Sequence, residues 1–451
     1  FQRFDQVKKS VKAFSHCSYT KFLLLLNVQK YDISFKQILS PYYMKIAIVG
    51  GGAAGFFLAI HLKQAVPENR VIIFERAGRV LAKVRVSGGG RCNLTNSFAH
   101  VDDLSHIYPR GARLMKRLLR EFSHEDAYRW FEAHGVKLVT QDDDCVFPAV
   151  QDSAAVISCL THQAGRLGVE VRLGHPVKAV KRHEEGGLEV LFSGEGHSAE
   201  RFDRVAVTTG GAPRSEGFDY LAALGHKMET PCPSLYTFSI LHKDLTAMMG
   251  LVVEAAQVSI PGTKFRSRGA LLITHWGLSG PAILKLSSYA ARHLHDAGYR
   301  SPLQVSWAGE VNMETVRGYL QKMLSDNPRK QLGTLHPYGL QQRLWLYLLR
   351  RCGLCEEQLC GELGGKSLNR LANVLTADAY AIEGKGTYRD EFVTCGGVAL
   401  SSVNALTMES RHCAGLYFAG EVLDVDAVTG GFNFQAAWTT AFVAARAMAA
   451  R

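Results

Sequence analysis

Lys45-Ile-Ala-Ile-Val-Gly-Gly-Gly-Ala-Ala-Gly55 decides how this chain is read. Its first five residues are an apolar run of the kind that forms a fully buried parallel strand. Gly50, Gly52 and Gly55 then stand at the spacing G-x-G-x-x-G. Residues 56–66 continue as an apolar helix, Pro67 ends it, and Val71-Ile-Ile-Phe74 supplies a second strand. Glu75 follows, 20 residues after Gly55. Each position has a mechanical reason. Gly50 permits a tight turn, Gly52 lets backbone approach a pyrophosphate, and Gly55 lets the helix pack on the strand. The helix N-terminus, opened by Ala53 and Ala54, offers unpaired N–H groups and a partial positive charge to the diphosphate. Glu75 is placed to accept hydrogen bonds from ribose hydroxyls and to repel a 2′-phosphate. A lone glycine motif also marks turns in other α/β domains. Here strand, helix, second strand and terminal acid lie in register, the context a dinucleotide-binding unit requires.

The rest of the composition limits the function. With 451 residues the chain has room for two or three domains and an ample core. Its 47% hydrophobic and 21% charged content is that of an ordinary globular protein. No run of eighteen apolar residues occurs, so no membrane-spanning helix is expected. The net charge is +11, but residues 1–43 hold seven Lys/Arg against two Asp, leaving +6 for the remainder. No basic tract with interleaved aromatics occurs beyond residue 43. The charge is read as solvated surface and as suiting an anionic cofactor, with no motif for nucleic acid. Ten scattered cysteines point to a reducing, cytoplasmic compartment and mostly buried thiols.

Residues 1–43 show no sustained periodicity. Lys8, Lys9 and Lys12 precede the short run Phe22-Leu-Leu-Leu-Leu26, as in a signal peptide, but no small-residue cleavage site follows. The expectation is that Met44 is the native start and that residues 1–43 are a non-native or disordered extension.

Three further stretches carry chemistry. Ser87-Gly-Gly-Gly-Arg-Cys-Asn-Leu-Thr-Asn96 exposes backbone N–H groups at Gly89 and its neighbours and adds polar side chains. It reads either as a cradle for phosphates or flavin carbonyls or as a flexible polar loop. Val205-Ala-Val-Thr-Thr-Gly-Gly211 is a buried strand ending in small residues, with Thr209, Gly210 and Gly211 at the carboxyl end of the sheet. Gly415-Leu-Tyr-Phe-Ala-Gly-Glu421 runs into Asp424, and Thr429-Gly-Gly-Phe-Asn433 opens a last helix. That second glycine-rich helix start would place a partial positive charge near the flavin pyrimidine and favour its reduced anion.

Between these stretches, residues 111–135 read as two helices with Leu114, Leu118, Leu119 and Phe122 on one face. Asp152 or Ser153 caps another helix. Residues 169–207 read as a β-meander, and Gly194-Glu-Gly196 within it as a hairpin turn rather than a second nucleotide fingerprint. Residues 231–307 are β-rich, and Thr274-His-Trp-Gly-Leu-Ser-Gly-Pro281 ends that run and opens a helix. Residues 313–377 are helical. Cys352-Gly-Leu-Cys355 lies there without a second C-x-x-C, so its thiols are read as inert rather than as a relay or half a metal site.

Together these motifs resemble a bacterial family of NAD(P)/FAD-dependent oxidoreductases that includes BaiN-like reductases and aminoacetone-oxidase-like proteins. The resemblance covers residues 44–451 and rests on residues 50–55 with Glu75, 87–96, 274–281 and 415–433. It implies a glutathione-reductase-like FAD-binding Rossmann domain of α/β class, interrupted by a β-barrel-like domain and a small helical insert. The segments would be 44–230 and 396–451 for FAD, 231–310 and 378–395 for the β insert, and 311–377 for the helices. FAD contacts are implied at Gly50, Gly52, Ala54, Gly55, Glu75 and Arg76. In the second loop they fall on Ser87, Arg91 and Asn93, with Cys92 beside them. On the far side they fall on Gly210, Gly420, Glu421, Asp424, Gly431 and Asn433, flanked by Gly430 and Phe432. Other members carry Lys directly after Gly-Arg; here the residues are Val80-Leu-Ala-Lys83, which leaves the role of Lys83 open.

The resemblance further implies FAD-dependent reduction of an activated C=C bond in a small, steroid-like or other enone substrate, with NAD(P)H as a transient electron donor. An oxidase of small amines using O₂ is the alternative of the same class, and a flavin-binding RNA-associated protein that of another. Proton-donor candidates are Cys92 and His275, with Tyr388 as a third. The other reading of Cys92 is a packing thiol, and of His275 a residue that fixes the turn before Gly277. No metal site is expected.

Overall fold

The computed structural model describes residues 43–194, 196–212, 215–386 and 393–450; Tyr388 and the segment 1–42 lie outside them. Lys45–Val49 forms the central strand of a five-stranded parallel sheet. The order across it is Leu416–Phe418, Arg204–Val207, Lys45–Val49, Arg70–Phe74, Glu170–Arg172. The central strands are apolar because helices cover both faces of such a sheet. Ile46, Ala47, Ile48, Val71, Ile72 and Ile73 are buried accordingly.

Helix Ala53–Ala65 starts three residues earlier than the apolar periodicity suggests, and its first turn is the glycine motif itself. The C-terminal helix Phe432–Ala449 packs on it, with the Phe57 and Trp438 rings 5.1 Å apart. Its alanine-rich sequence lets the two helix backbones come close. The two helices over residues 111–135 are Ala112–Leu118 and His124–Ala133. Ser153 is the N-cap of helix Ala154–Arg166, but its side chain donates to Arg85 O instead of capping, and Asp152 before it accepts from Ala154 N at 2.8 Å.

The β-meander expected over residues 169–207 needs correction. Only Val177–Arg182, Leu188–Phe192 and Glu200–Phe202 form an antiparallel sheet. The flanking strands Glu170–Arg172 and Arg204–Val207 belong to the parallel sheet instead.

The chain leaves the parallel sheet through Met228–Ser234 and returns through Val393–Val398, and these two strands pair antiparallel. Between them lies a seven-stranded sheet. Its order is Asp378–Ile382, Ser301–Ser306, Val252–Ser259, Arg266–Thr274, Gly277–Ser279, Phe238–Ser239, Gly384–Lys385. The two edge strands are consecutive in the chain, separated by Glu383 alone. The sheet is therefore rolled and barrel-like, but among the described residues no ladder closes it. Helices Met313–Ser325, Gln342–Arg351 and Gly365–Ala377 share one apolar core with this sheet: Leu320, Leu344 and Leu371 cluster with Val258, Ile273 and Val305.

Candidate functional site

The first cradle is the turn after Lys45–Val49. Gly50 has φ of +115°, and a Cβ there would lie 2.6 Å from Thr208 O. A Cβ on Gly55 would lie 2.1 Å from Gly50 O and 2.8 Å from Thr208 Oγ1. Thr208 itself donates to the carbonyls of Val49 and Gly50 at 3.1 and 3.0 Å, tying the turn to the neighbouring strand. Gly52 differs: nothing lies within 4 Å of where its Cβ would be. It is the helix N-cap, no side chain caps it, and the first turn holds no acid. Uncapped N–H groups facing open space fit a pyrophosphate.

Glu75 accepts from Gly51 N at 2.9 Å and from Ala77 N at 2.8 Å. Its carboxylate is thereby aimed at the turn, and each oxygen retains a lone pair. Arg76 is exposed.

The Ser87–Gly90 turn winds through left-handed conformations at Gly88, Gly89 and Gly90. Cys92 follows with φ of +64°, which glycine adopts freely and cysteine rarely. Its side chain is fully buried, and burial pushes the thiol up to about 12. Ser87 donates to Val84 O. Arg91 stacks on Phe147 at 4.3 Å and bonds to Gly88 O and Gln151, which stiffens the loop.

This loop is stitched to the second glycine-rich helix start. Oriented to satisfy both ends of its amide, Asn93 donates to Thr95 O at 3.0 Å and accepts from Gly431 N at 3.2 Å. Asn96 donates to Gly430 O at 3.1 Å, Thr95 to Gln435 Oε1 at 2.6 Å, and Trp438 to Leu94 O at 3.0 Å. Asn433 is held by Ala427, donating to its carbonyl and accepting from its N–H, both at 2.9 Å. Phe432 is buried edge-on against Phe98, and its carbonyl accepts from Tyr108. The helix these residues open is again uncapped by any side chain and free of acid in its first turn.

The third wall comes from Gly420 and its neighbours. A Cβ on Gly420 would lie 2.9 Å from the Ala54 methyl, so this turn meets the first helix start directly. Glu421 accepts from Thr394 N at 2.8 Å and pairs with Lys83 at 2.8 Å. Gly210 and Gly211 pass beside the Glu421 carboxylate, and Thr209 is exposed next to them. Asp424 pairs with Arg292 and accepts from Gly396 N. Residues 50–55, 87–96, 210–211 and 420–433, spread over most of the chain, are thus brought together. Two helix N-termini without side-chain caps start among them, which fits an elongated, anionic dinucleotide.

His275 sits apart from that stitching. It occupies the exposed turn between Arg266–Thr274 and Gly277–Ser279, its ring edge-on to Trp276 at 4.5 Å. Tyr388, the third candidate, lies outside the described residues. Cys352 is buried and Cys355 exposed, where it donates to Glu357, so the two thiols face different surroundings. Among the described residues no cluster of three or more His, Cys, Asp or Glu could hold a metal. No helix among them is long and apolar enough to cross a membrane.

Sequence reasoning missed one buried group. Arg110 forms a two-point ion pair with Asp426 and donates to Ser288 O, and Ser234 donates to Asp426 at 3.0 Å. Asp426 is wholly buried, and burial outweighs its partners and raises its pKa. Arg110 and Asp426 are 316 positions apart, and no local spacing announces them.

Residues 44–447 match the family described as HI0933-like protein Rossmann domain. The chain belongs to that family. It is an FAD-dependent oxidoreductase, and the converging glycine turns described above suit FAD. It is 26% identical over 415 residues to the 3-dehydro-bile acid delta(4,6)-reductase of Clostridium scindens, covering 90% of this chain and 99% of that one. It is 29% identical over 410 residues to the ribosomal RNA dihydrouridine synthase of Escherichia coli, covering 88% and 96%. Among solved structures, the 3-ketosteroid-Δ4-(5α)-dehydrogenase of Rhodococcus jostii RHA1 aligns at a TM-score of 0.49 and 12% identity, covering 91% and 98%.

Proposed function

We propose that this flavoprotein of the HI0933-like family reduces a carbon–carbon double bond conjugated to a carbonyl, with NAD(P)H as electron source. The observation that carries this reading is the match along nearly the whole length of two relatives whose names describe one kind of chemistry. The two Δ4,6 double bonds conjugated with a 3-oxo group and the C5=C6 bond of uridine beside its C4 carbonyl are all polarised alkenes. Each C=C bond is saturated by one hydride and one proton. Bound FAD supplies the two-electron carrier for such a step.

The chain's own residues do the rest. The N–H groups of Ala53 and Ala54 would hold the pyrophosphate, and Glu75 the ribose. The uncapped start of Phe432–Ala449 would supply a partial positive charge that favours a reduced, anionic flavin. Nicotinamide and substrate would bind in turn, since the sequence offers no second glycine fingerprint that opens a helix. Cys92, sealed from solvent and protonated, holds the Ser87–Gly90 turn rather than meeting substrate. His275 is exposed on the turn before Gly277.

The substrate is a small conjugated ketone in the first reading. A second reading, uracil within ribosomal RNA, is favoured by one observation. Residues 76–91 carry Arg76, Arg79, Lys83, Arg85 and Arg91 without a single acid, and Arg76, Arg79 and Arg85 are exposed. A cationic rim of this kind suits a polyanion and is wasted on a steroid.

Anaerobic mixing of the flavin-loaded protein with NADH or NADPH tests the shared claim. Rapid bleaching of the flavin, reversed by a 3-oxo-4,6-diene steroid, supports the first reading. Reoxidation by unmodified ribosomal RNA, weakening steeply with salt, supports the second. A flavin that bleaches only with small amines would replace both with an oxidase.

A further inference from the structure

We propose that Cys232 and Cys395 are a reversible disulfide site, which staples the two strands joining the parallel sheet to the rolled sheet. Met228–Ser234 carries the chain out of the dinucleotide-binding part and Val393–Val398 brings it back. The two strands pair antiparallel with Cys232 directly opposite Cys395. Opposed residues in such a ladder have Cα atoms about 4.5–5.5 Å apart. That lies inside the window of about 4.4–6.8 Å that a disulfide spans without moving backbone. The thiols already face each other, with the sulfurs 3.0 Å apart. Both are buried, and with Ala291 they form a small cluster separate from the two large cores.

The surroundings favour reaction over inert packing. The two thiols share one hydrogen bond in which either sulfur can donate, and Arg110 and Arg292 nearby favour a thiolate at Cys232. Ionising one thiol pushes the other up, so one sulfur acts as the nucleophile while its partner keeps the proton. The other closely spaced pair, Cys352 and Cys355, offers a contrast, because one is buried and the other exposed.

The oxidant is a small hydroperoxide, which fits a buried site better than a bulky disulfide. The Cys232 thiolate attacks the peroxide O–O bond and becomes a sulfenic acid, and the leaving oxygen takes a proton to depart as water or alcohol. The Cys395 sulfur then attacks the Cys232 sulfur, forming the S–S bond, and the sulfenic oxygen leaves as a second water. The two sulfurs together lose two electrons, which reduce one peroxide bond. A dithiol reductant reverses the reaction by thiol exchange once the strands open.

The bond would close a loop containing the entire insert. Thr394 and Gly396, on either side of Cys395, bond to Glu421 and Asp424 on the crevice wall. The staple therefore fixes the connector against the dinucleotide cradle and restrains motion of the rolled sheet relative to it.

The test treats the full-length flavin-loaded protein with hydrogen peroxide, alkylates free thiols under denaturing conditions, and maps the peptides. The expected result is a mass decrease of about 2 Da, loss of two alkylated thiols, and a cross-linked peptide pair containing residues 232 and 395, all reversed by dithiothreitol. Amide exchange across residues 228–234 and 393–398 in the native protein should slow on oxidation and recover on reduction. Recovery of both thiols fully alkylated, while other cysteines oxidise, would overturn the site. A Cys232→Ser or Cys395→Ala protein that still loses the same two hydrogens would do so as well. Unchanged exchange in a protein shown to be cross-linked would overturn the clamp.

Discussion

Gly431 lies against Thr95 so closely that a Cβ on the glycine would sit 2.2 Å from the threonine carbonyl oxygen. This contact joins the C-terminal helix start to the Ser87–Asn96 loop, and through them the two halves of the cofactor crevice. It makes the glycines of this protein fall into two kinds. Some, such as Gly431 and Gly55, have protein where a side chain would go, and others face an open crevice.

Gly52 and Gly55 separate these kinds within one motif. Gly52 has φ of −90° and nothing within 4 Å of its absent Cβ, so alanine fits the protein there. Gly52→Ala should fold with an unchanged melting temperature and lose FAD affinity by about tenfold or more, roughly 1.4 kcal/mol. Gly55→Ala puts a methyl 2.1 Å from Gly50 O and should destabilise the protein as well as the cofactor site. Fluorescence titration of FAD beside a thermal melt reads both quantities. A Gly52→Ala protein with full FAD affinity would refute placement of the pyrophosphate at this turn.

The buried pair of Arg110 and Asp426 leads to an asymmetric expectation. Asp426→Asn leaves the guanidinium buried against a neutral amide, so unfolding in denaturant should come earlier by about 3–5 kcal/mol. Ser234 and Ser288, which bond to the same pair, should lose their anchor. The double variant Arg110→Met with Asp426→Leu removes both charges and should be less damaged than Asp426→Asn alone. Equal or additive damage would show that the charges contribute by attraction beyond their burial penalty.

How much of this could be read in advance depended on distance along the chain. Lys45–Val49, the helix after it and Glu75 were legible because each signal sits beside the next. The glycine turn at 430–431 was legible as a helix start, but its contact with Thr95 and Asn93 was not, since no spacing records it. Glu170–Arg172 reads as meander because a three-residue strand at a sheet edge, with two charged residues around Val171, shows no apolar run. Arg110, Asp426 and the opposition of Cys232 to Cys395 come from tertiary register alone, which residue type does not encode.

Cys92 was singled out as a proton donor, and its geometry yields a sharp expectation. The side chain is fully buried and the backbone sits in the left-handed region, so the expectation is a contribution to packing and turn shape. Cys92→Ala should lower stability by about 1–2 kcal/mol for the lost buried sulfur. Turnover per flavin-loaded molecule should stay within about threefold of the parent protein, with the same pH profile. A drop of about a hundredfold or more in the substrate half-reaction, with flavin reduction intact, would make Cys92 the proton donor after all.

His61 sets an acid limit on stability. Its ring is packed among Phe57, Phe442, Trp130 and Phe122, and its Nε2 is buried without a partner. Burial, with a smaller contribution from His134, lowers its pKa from 6.5 to about 4. Above pH 6.5 the imidazole is neutral in both folded and unfolded chains and contributes no pH dependence. As pH falls below 6.5 the unfolded chain takes up a proton that the folded one refuses. Stability is therefore lost progressively, with the loss complete near pH 4 and amounting to roughly 3 kcal/mol at most. His61→Phe fills the same aromatic niche without a titratable group, so its melting temperature should fall less than that of the parent between pH 6.5 and 4. Parallel melting curves for the two proteins over that range would show that other groups govern the acid limit.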